Sequence, residues 1–302
     1  MKNKLFFMTL MVVVFLRANA CDICGCGSIG SNGMGITPMM NKNFVGIRYA
    51  QMSFTGSHPS TIENGILSPG FKARETYLNG TVWGRFNPIS KLQLYAFVPF
   101  QKNISEVKGS IEKISGIGDV MVNAYYTVWS SDAEKCSNRT QLLFAGLGVK
   151  LPTGSFRSVQ SPNLQTGTGS VDWVAMSSYI LKWKNSGLNA EASYRFNTEN
   201  QHRFKYGNRL SGSSRLFYWY SKKNLTLIPQ AGVYAEYNAK NIDHSSQEDF
   251  SGGFGTFALA ATDVHYNNIS ASAGIHIPIA YYYSDGLGQP GLRTNIQIGI
   301  NF

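Results

Sequence analysis

The 302-residue chain carries 27 Lys+Arg against 17 Asp+Glu, a formal net charge of +10, yet charged residues are only 15% of it. With 43% hydrophobic and 13% aromatic residues it is too apolar for disorder and short of the Lys and Glu that coat soluble helices. Past residue 20 no apolar run reaches the ~18 residues of a spanning helix, which excludes a helical membrane protein and leaves a membrane β-barrel open.

Residues 1–20 read as a secretory signal peptide. Lys2 and Lys4 precede an apolar core from Leu5 to Leu16, and Ala18-Asn19-Ala20 forms an A-x-A cleavage signal before Cys21. Its removal takes three basic residues and no acid, leaving +7. A basic excess of this size raises nucleic acid as a partner. Secretion, and the lack of any cluster of five or more Lys/Arg, argue against it, so scattered surface and lumen charge is expected.

Residues 21–42 form a Cys/Gly-rich segment, Cys21-Asp22-Ile23-Cys24-Gly25-Cys26-Gly27, and the fourth cysteine, Cys136, lies far along the chain. In an oxidising compartment the default is a disulfide, here a clip from the N-terminal cluster to Cys136. Two other readings stay open beside a redox role. One is a soft-metal site for Cu or Zn on thiolates, although no His stands nearby. The other is lipidation of Cys21, although Ala18 stands where a lipobox has Leu. Apart from such a metal no cofactor is expected.

From about residue 43 one unit repeats: ten to fourteen alternating residues, then a connection rich in Gly, Asn, Ser or Lys. Twelve such stretches lie near 43–54, 73–87, 91–102, 117–130, 140–151, 170–184, 187–198, 208–221, 225–238, 252–266, 268–281 and 292–302. In the eleventh, Ile269, Ala271, Ala273, Ile275, Ile277, Ile279 and Tyr281 share one face. Period two means strand, and these stretches exceed the five or six residues usual in a sandwich and match the ~9–11 that a membrane strand needs. Short and long connections alternate, as the periplasmic turns and outer loops of a barrel do; the long turn at 131–139 is the exception on the short side. The fold class predicted is all-β: one antiparallel transmembrane barrel of about twelve strands over 43–302, with both termini in the periplasm. The chain ends on Phe302 after alternating apolar positions, a pattern that resembles the signal read by the barrel assembly machinery.

Three segments are characteristic together. Ser115-Gly116-Ile117-Gly118-Asp119-Val120 opens a strand, Gly148-Val149-Lys150-Leu151-Pro152-Thr153-Gly154 ends the next, and Leu164-Gln165-Thr166-Gly167-Thr168-Gly169-Ser170-Val171-Asp172 opens the one after. In this order and spacing they resemble the MetA-pathway of phenol degradation family of outer-membrane barrels, over roughly 70–302. The resemblance implies a transporter-like barrel of the Gram-negative outer membrane, acting on a small, hydrophobic or aromatic solute, with no catalytic residues. Read physically, Gly116, Gly118, Asp119, Pro152, Thr153, Gly154, Gly167 and Gly169 sit where strands meet long loops, and are expected to fold the rim.

Turning the apolar face to lipid leaves an inward set: Arg48, Glu75, Asn79, Arg85, Asp119, Asn123, Asp172, Glu191, Arg195, Arg215, Glu236, His276, Arg293 and Asn295. Arg–carboxylate pairs are expected among them. Twelve strands fall between barrels filled by side chains and open porins. Either a narrow passage for solute or a salt-bridged lumen that only holds the barrel together follows; in the second case the protein is a scaffold whose Cys-rich segment binds a soft metal or a partner. Trp83, Trp129, Trp183, Tyr218, Tyr220 and Tyr281 to Tyr283 are expected in interfacial girdles against outer-membrane lipid. No G-x-S-x-G, H-E-x-x-H or P-loop pattern is present. Asp263 and His265 share a face, but nothing singles out a nucleophile, and no enzyme is expected.

Overall fold

The computed structural model describes residues 42–302, apart from 59–60, 64–65, 69–70, 132–138 and 158–161. The signal peptide, Cys21, Cys24, Cys26 and Cys136 lie outside the described residues. Twelve long strands form the barrel: β1 Phe44–His58, β2 Phe71–Ile89, β3 Leu92–Val107, β4 Met121–Ser130, β5 Arg139–Lys150, β6 Asp172–Trp183, β7 Ser186–Phe196, β8 Arg209–Tyr218, β9 Leu225–Asn238, β10 Gly253–Tyr266, β11 Ile269–Tyr283 and β12 Arg293–Asn301. Each pairs antiparallel with its neighbours in sequence, and β12 closes the ring on β1, from Phe44↔Asn301 to Gln51↔Thr294. Closure leaves no open edge, as a bilayer requires.

Alternation decides what faces out. On β12, Ile296, Ile298 and Ile300 are exposed while Arg293 and Asn301 are buried. The same phase puts Val45, Ile47, Val82, Val98, Phe100, Leu147 and Leu216 on the outside. Water would penalise such a belt, whereas lipid is its matching solvent. Several short connections are two-residue turns whose first residue takes a positive φ, Lys184 (52°), Lys223 (53°) and Asn267 (51°), the twist that primed hairpin turns supply. They share one end of the barrel with the start of β1 and the end of β12, where Phe302 N donates to Asn43 O at 2.9 Å. Ser131 N donates to Gln141 O there, so the β4–β5 connection that carries Cys136 leaves and re-enters on that side.

The structure departs from the sequence reading in three places. The stretch expected as a loop at 103–116 is strand: β3 runs to Val107 and turns through Lys108 and Gly109, both at positive φ, into Ser110–Ile117, which pairs back on it. Trp83 is not a girdle residue; it faces the lumen, 4% exposed, stacked on Phe97 with centroids 5.6 Å apart. Its odd number on β2 puts it in phase with Asn79 and Arg85, and that phase outweighs its preference for an interface. Tyr283 is also inside, 1% exposed. A bulge opposite Thr256/Phe257 leaves Ile279 unpaired, so Tyr281 pairs with Gly255 and Tyr283 with Gly253. The extra residue shifts the phase of everything after it, and the face shared by Ile269 to Ile279 does not continue to Tyr281. Trp129, Trp183, Tyr218, Tyr220 and Tyr281 are exposed.

Candidate functional site

The lumen lining is richest in aromatic rings on the β1–β6 side. Toward the end with the short turns, strands β1–β6 contribute Phe44, Trp83, Tyr95, Phe97, Met121, Tyr125, Phe144, Val174, Met176 and Ile180, joined by Phe217 and Ile228 in one apolar cluster. On the other half, β7–β12 point inward Asn189, Glu191, Ser213, Arg215, Gln230, Asp263, His265, Ser272, His276 and Gln297, together with the apolar cluster Tyr234, Phe257 and Leu259, while β1–β6 also bury Asn79, Gln93, Gln101, Asn103 and Asn123. The aromatic rings engage one another edge-on and stacked: Phe44 meets Trp83 at 4.4 Å and 76°, and Tyr95 meets Tyr125 at 5.7 Å and 74°. A small cavity in the lumen is lined by Phe44, Trp83, Asp263, His265, Ser270, Ser272, Gln297 and Asn301.

Every inward candidate from the sequence lies on the lumen face or at its rim: Asn79 is buried on β2, where it accepts from Thr81 Oγ1 at 2.7 Å, and the others fall in three groups. At the turn end, Arg48 Nε donates to Gln297 Oε1 at 3.1 Å, and its guanidinium lies over Trp83, 4.3 Å from the ring centre. Arg85 holds the backbone carbonyl of Lys42 with Nε at 2.7 Å and donates to Tyr95 OH. Glu191 accepts from Arg215 Nη2 at 3.0 Å and from Ser213. Asn123 is 1% exposed among the aromatic rings, and neither atom of its carboxamide has a hydrogen-bond partner. Asn295 stands beside Gly274 on the inner face.

The second group centres on Glu236, near the loop end of β9. Its two oxygens take Arg293 Nη2 (2.7 Å) and Nη1 (3.0 Å), Arg209 Nη2 (2.5 Å), Tyr283 OH (2.5 Å) and Tyr234 OH (2.7 Å). Arg293 lies 4.0 Å from the centre of the Phe257 ring, and His276 stacks on Tyr234 at 5.4 Å and 11°. A carboxylate buried this deeply is affordable because its lone pairs are saturated by two guanidiniums and two phenols. Glu75 accepts from Tyr77 OH at 2.5 Å on the adjoining wall, and Arg195 is buried on β7.

The third group is built by the three characteristic segments. Lys150, at the end of β5, inserts its ammonium between Asp119 Oδ2 (2.5 Å) and Asp172 Oδ2 (2.7 Å) and also donates to Thr168 Oγ1. Asp119 accepts from Gly154 N (2.9 Å), Thr168 N (2.8 Å) and Thr168 Oγ1. Asp172 accepts from Ser170 Oγ and Thr198 N, both at 2.9 Å. Thr153 Oγ1 joins Val120 N to Gly118 O, Gly118 N donates to Pro99 O, and Gly116 lies against Thr166. A Cβ on Gly154 would stand 2.7 Å from Gly167, so neither residue tolerates a side chain; Gly169 takes φ +69°. Pro152 is exposed in the bend that follows β5. The triad thus ties the segment before β4 to the 151–171 and 197–208 loops. The loops then fold back across the mouth. Asn103 on the inner face of β3 donates to Leu164 O and Gln165 O at 3.0 Å, Phe156, Phe204 and Tyr206 form an apolar cluster, and Gly207 N reaches Asn241 Oδ1.

The sequence alone assigns Lys150 no role, although it lies inside the second characteristic segment. The signal was available: an inward-phase Lys at a strand end, flanked in the sheet by two strands opening on inward Asp. Arg209, Tyr234 and Tyr283 were missed likewise, because a hydrogen-bond hub is set by register rather than by spacing in the chain.

These three segments lie inside the region, residues 63–292, that matches the family described as MetA-pathway of phenol degradation. The chain belongs to that family. In shape it is similar to the COG4313 outer membrane channel from Pseudomonas putida F1, with a TM-score of 0.62 at 14% identity, covering 86% of this chain and 96% of that one. More distant likenesses are the β domain of the Bordetella autotransporter BrkA (TM-score 0.48, 9% identity, 85% and 100% covered) and the CymD monoaromatic hydrocarbon channel (0.38, 10%, 92% and 96%). At 14% identity the likeness to the COG4313 channel speaks for the fold alone: a closed twelve-strand barrel of outer-membrane type. No curated protein is detectably similar in sequence. Among MetA-pathway of phenol degradation barrels, the Asp119–Lys150–Asp172 arrangement gives the characteristic segments of this one a structural reason.

Proposed function

We propose that this barrel sits in the outer membrane with its N-terminus in the periplasm, and passes a small solute, hydrophobic or aromatic in part, through its lumen. The observation that carries this reading is the mixed lumen lining: an aromatic cluster drawn mainly from β1–β6, set among buried hydroxyls, carboxamides and guanidiniums. Such a surface suits a solute with a flat apolar body and a polar end, because rings meet rings and the polar end keeps its hydrogen bonds. Membership of the family and the channel fold support the same reading. The test is planar-bilayer conductance of the purified protein, together with solute uptake by cells lacking it. Steps of conductance and an uptake defect are expected; their joint absence overturns the proposal.

A second reading is carried by the density of the inner network around Glu236 and Lys150. Here the barrel is a scaffold, and its Cys-rich N-terminal segment holds Cu or Zn or a partner protein. It predicts a silent bilayer and stoichiometric metal on the intact protein. Under either reading the outer face meets outer-membrane lipid, and Phe302 serves the barrel assembly machinery.

A further inference from the structure

The lumen holds one guanidinium that is positioned but unspent. Arg48 lies over Trp83, which also contacts Phe44 edge-on and the parallel ring of Phe97, and Gln297 Oε1 accepts from its Nε. That leaves its two terminal nitrogens without a hydrogen-bond acceptor among the described residues. Most other inward cations of the lumen are engaged: Arg209 and Arg293 by Glu236, Arg215 by Glu191, Lys150 by two aspartates, and Arg85 by Lys42 O and Tyr95. Two acids in this part of the lumen accept hydrogen bonds from other residues. Glu191, which stands on the opposite strands with Arg215 and within electrostatic reach of Arg48, accepts from Arg215 and Ser213. Asp263 accepts from Gln230 Nε2 at 2.7 Å. Arg48, Arg215, Glu191 and Asp263 balance in formal charge, so what sets Arg48 apart is that its terminal nitrogens carry no hydrogen bond among the described residues.

The surroundings also ask for an acceptor. Trp83 is 4% exposed, its indole Nε1 is buried with no partner, and with Gln297 it lines the small lumen cavity. A buried donor left unmade costs roughly 1–3 kcal/mol, and a planar guanidinium fork presents two parallel donors at carboxylate spacing. We infer that Arg48 is the anion-receiving residue of a lumen subsite, and that the solute this site takes is a small aromatic carboxylate, its ring on the aromatic wall and its carboxylate on the Arg48 fork. The inference rests on the lumen being a solute path and names the class of solute.

The experiment measures binding of benzoate to the purified full-length protein in detergent by titration calorimetry at fixed ionic strength, with benzamide as the neutral isostere. Benzoate is expected to bind, benzamide at least tenfold more weakly. Arg48→Gln should raise the benzoate Kd at least tenfold and leave benzamide unchanged. Arg48→Lys, which keeps the charge without the fork, should fall between. Should Arg48→Gln not fold, judged by heat-modifiable gel migration, Arg48→Lys alone decides. Equal binding of the two probes, or a benzoate Kd indifferent to Arg48, overturns the inference. Because binding needs no passage, Arg48-dependent benzoate binding in a non-conducting barrel would sink the channel reading and keep the subsite. Conductance without Arg48-dependent binding would do the reverse.

Discussion

Replacing Lys150 with Met is expected to loosen the loop side of the barrel while sparing the strands. The ammonium is 7% exposed and stands 2.5 Å from Asp119 and 2.7 Å from Asp172, which are 6% and 0% exposed. Methionine fills the same volume but leaves two buried like charges facing each other. Removing one partner of a buried ion pair costs about 3–5 kcal/mol, and the triad sits at the upper end because two carboxylates depend on one cation. Part of that loss should return in Lys150→Met with Asp172→Asn. Asp119 then keeps its donors from Gly154 N and Thr168 N without a repelling neighbour. Urea unfolding in lipid vesicles, followed by tryptophan fluorescence, measures the loss. Limited trypsin digestion at Arg157 reports whether the 151–171 loop has come free. Faster cleavage at Arg157 with a lower unfolding midpoint is the expected pair of results. An unchanged midpoint and unchanged digestion would show that the triad does not hold the loops and would refute the reasoning.

Glu236→Gln leaves Arg209 and Arg293 buried against a neutral group and is expected to cost about 3–5 kcal/mol, against about 1 kcal/mol for Tyr283→Phe, which removes one of five hydrogen bonds; denaturant midpoints compare them. Trp83→Ala should open a void in the aromatic wall, lower stability by about 3–5 kcal/mol and raise any conductance, whereas Trp183→Ala, on the lipid side at 65% exposure, should do neither. Burial raises the carboxyl of Glu248, in the 239–252 loop, above its ordinary range, and nearby Asp243 adds to the rise, against the opposing bond from Asn241 Nδ2. The folded loop therefore binds that proton more tightly than the unfolded chain, so its contribution to stability is present below the ordinary Glu range and is lost as pH rises through the raised value. Glu248→Gln should flatten that dependence, read by proteolysis of the loop between pH 4 and 7; a slope that persists in the variant contradicts it.

The barrel was legible because a membrane strand states its two solvents in alternate letters. Ile296, Ile298 and Ile300 against Arg293, Asn295 and Gln297 fix strand, phase and facing at once. The same phase placed Arg48, Glu75, Arg215, Glu236 and His276 on the inner face without any structure. Three kinds of fact were not legible. Trp83 was misread because residue type was allowed to outrank phase. Tyr283 was misread because a one-residue bulge in β11 has no signature in composition. The partners within the lumen were out of reach because they join positions such as Glu236 and Arg293, 57 residues apart, through ring closure and strand stagger that no local pattern encodes. For the rim, the Gly, Pro and Asp residues announced a folded loop, but the lysine that holds it together is a single inward letter at the end of β5.

The central claim is that the lumen, with its aromatic and polar lining, conducts solute. Its most direct test is single-channel recording of the purified, refolded barrel in a planar bilayer, with Arg48→Gln recorded beside it. Discrete conductance steps are predicted, with benzoate at fixed ionic strength reducing the current of the native protein and not that of the variant. A bilayer that stays silent at high protein load, with the barrel folded by heat-modifiable migration, would contradict the account.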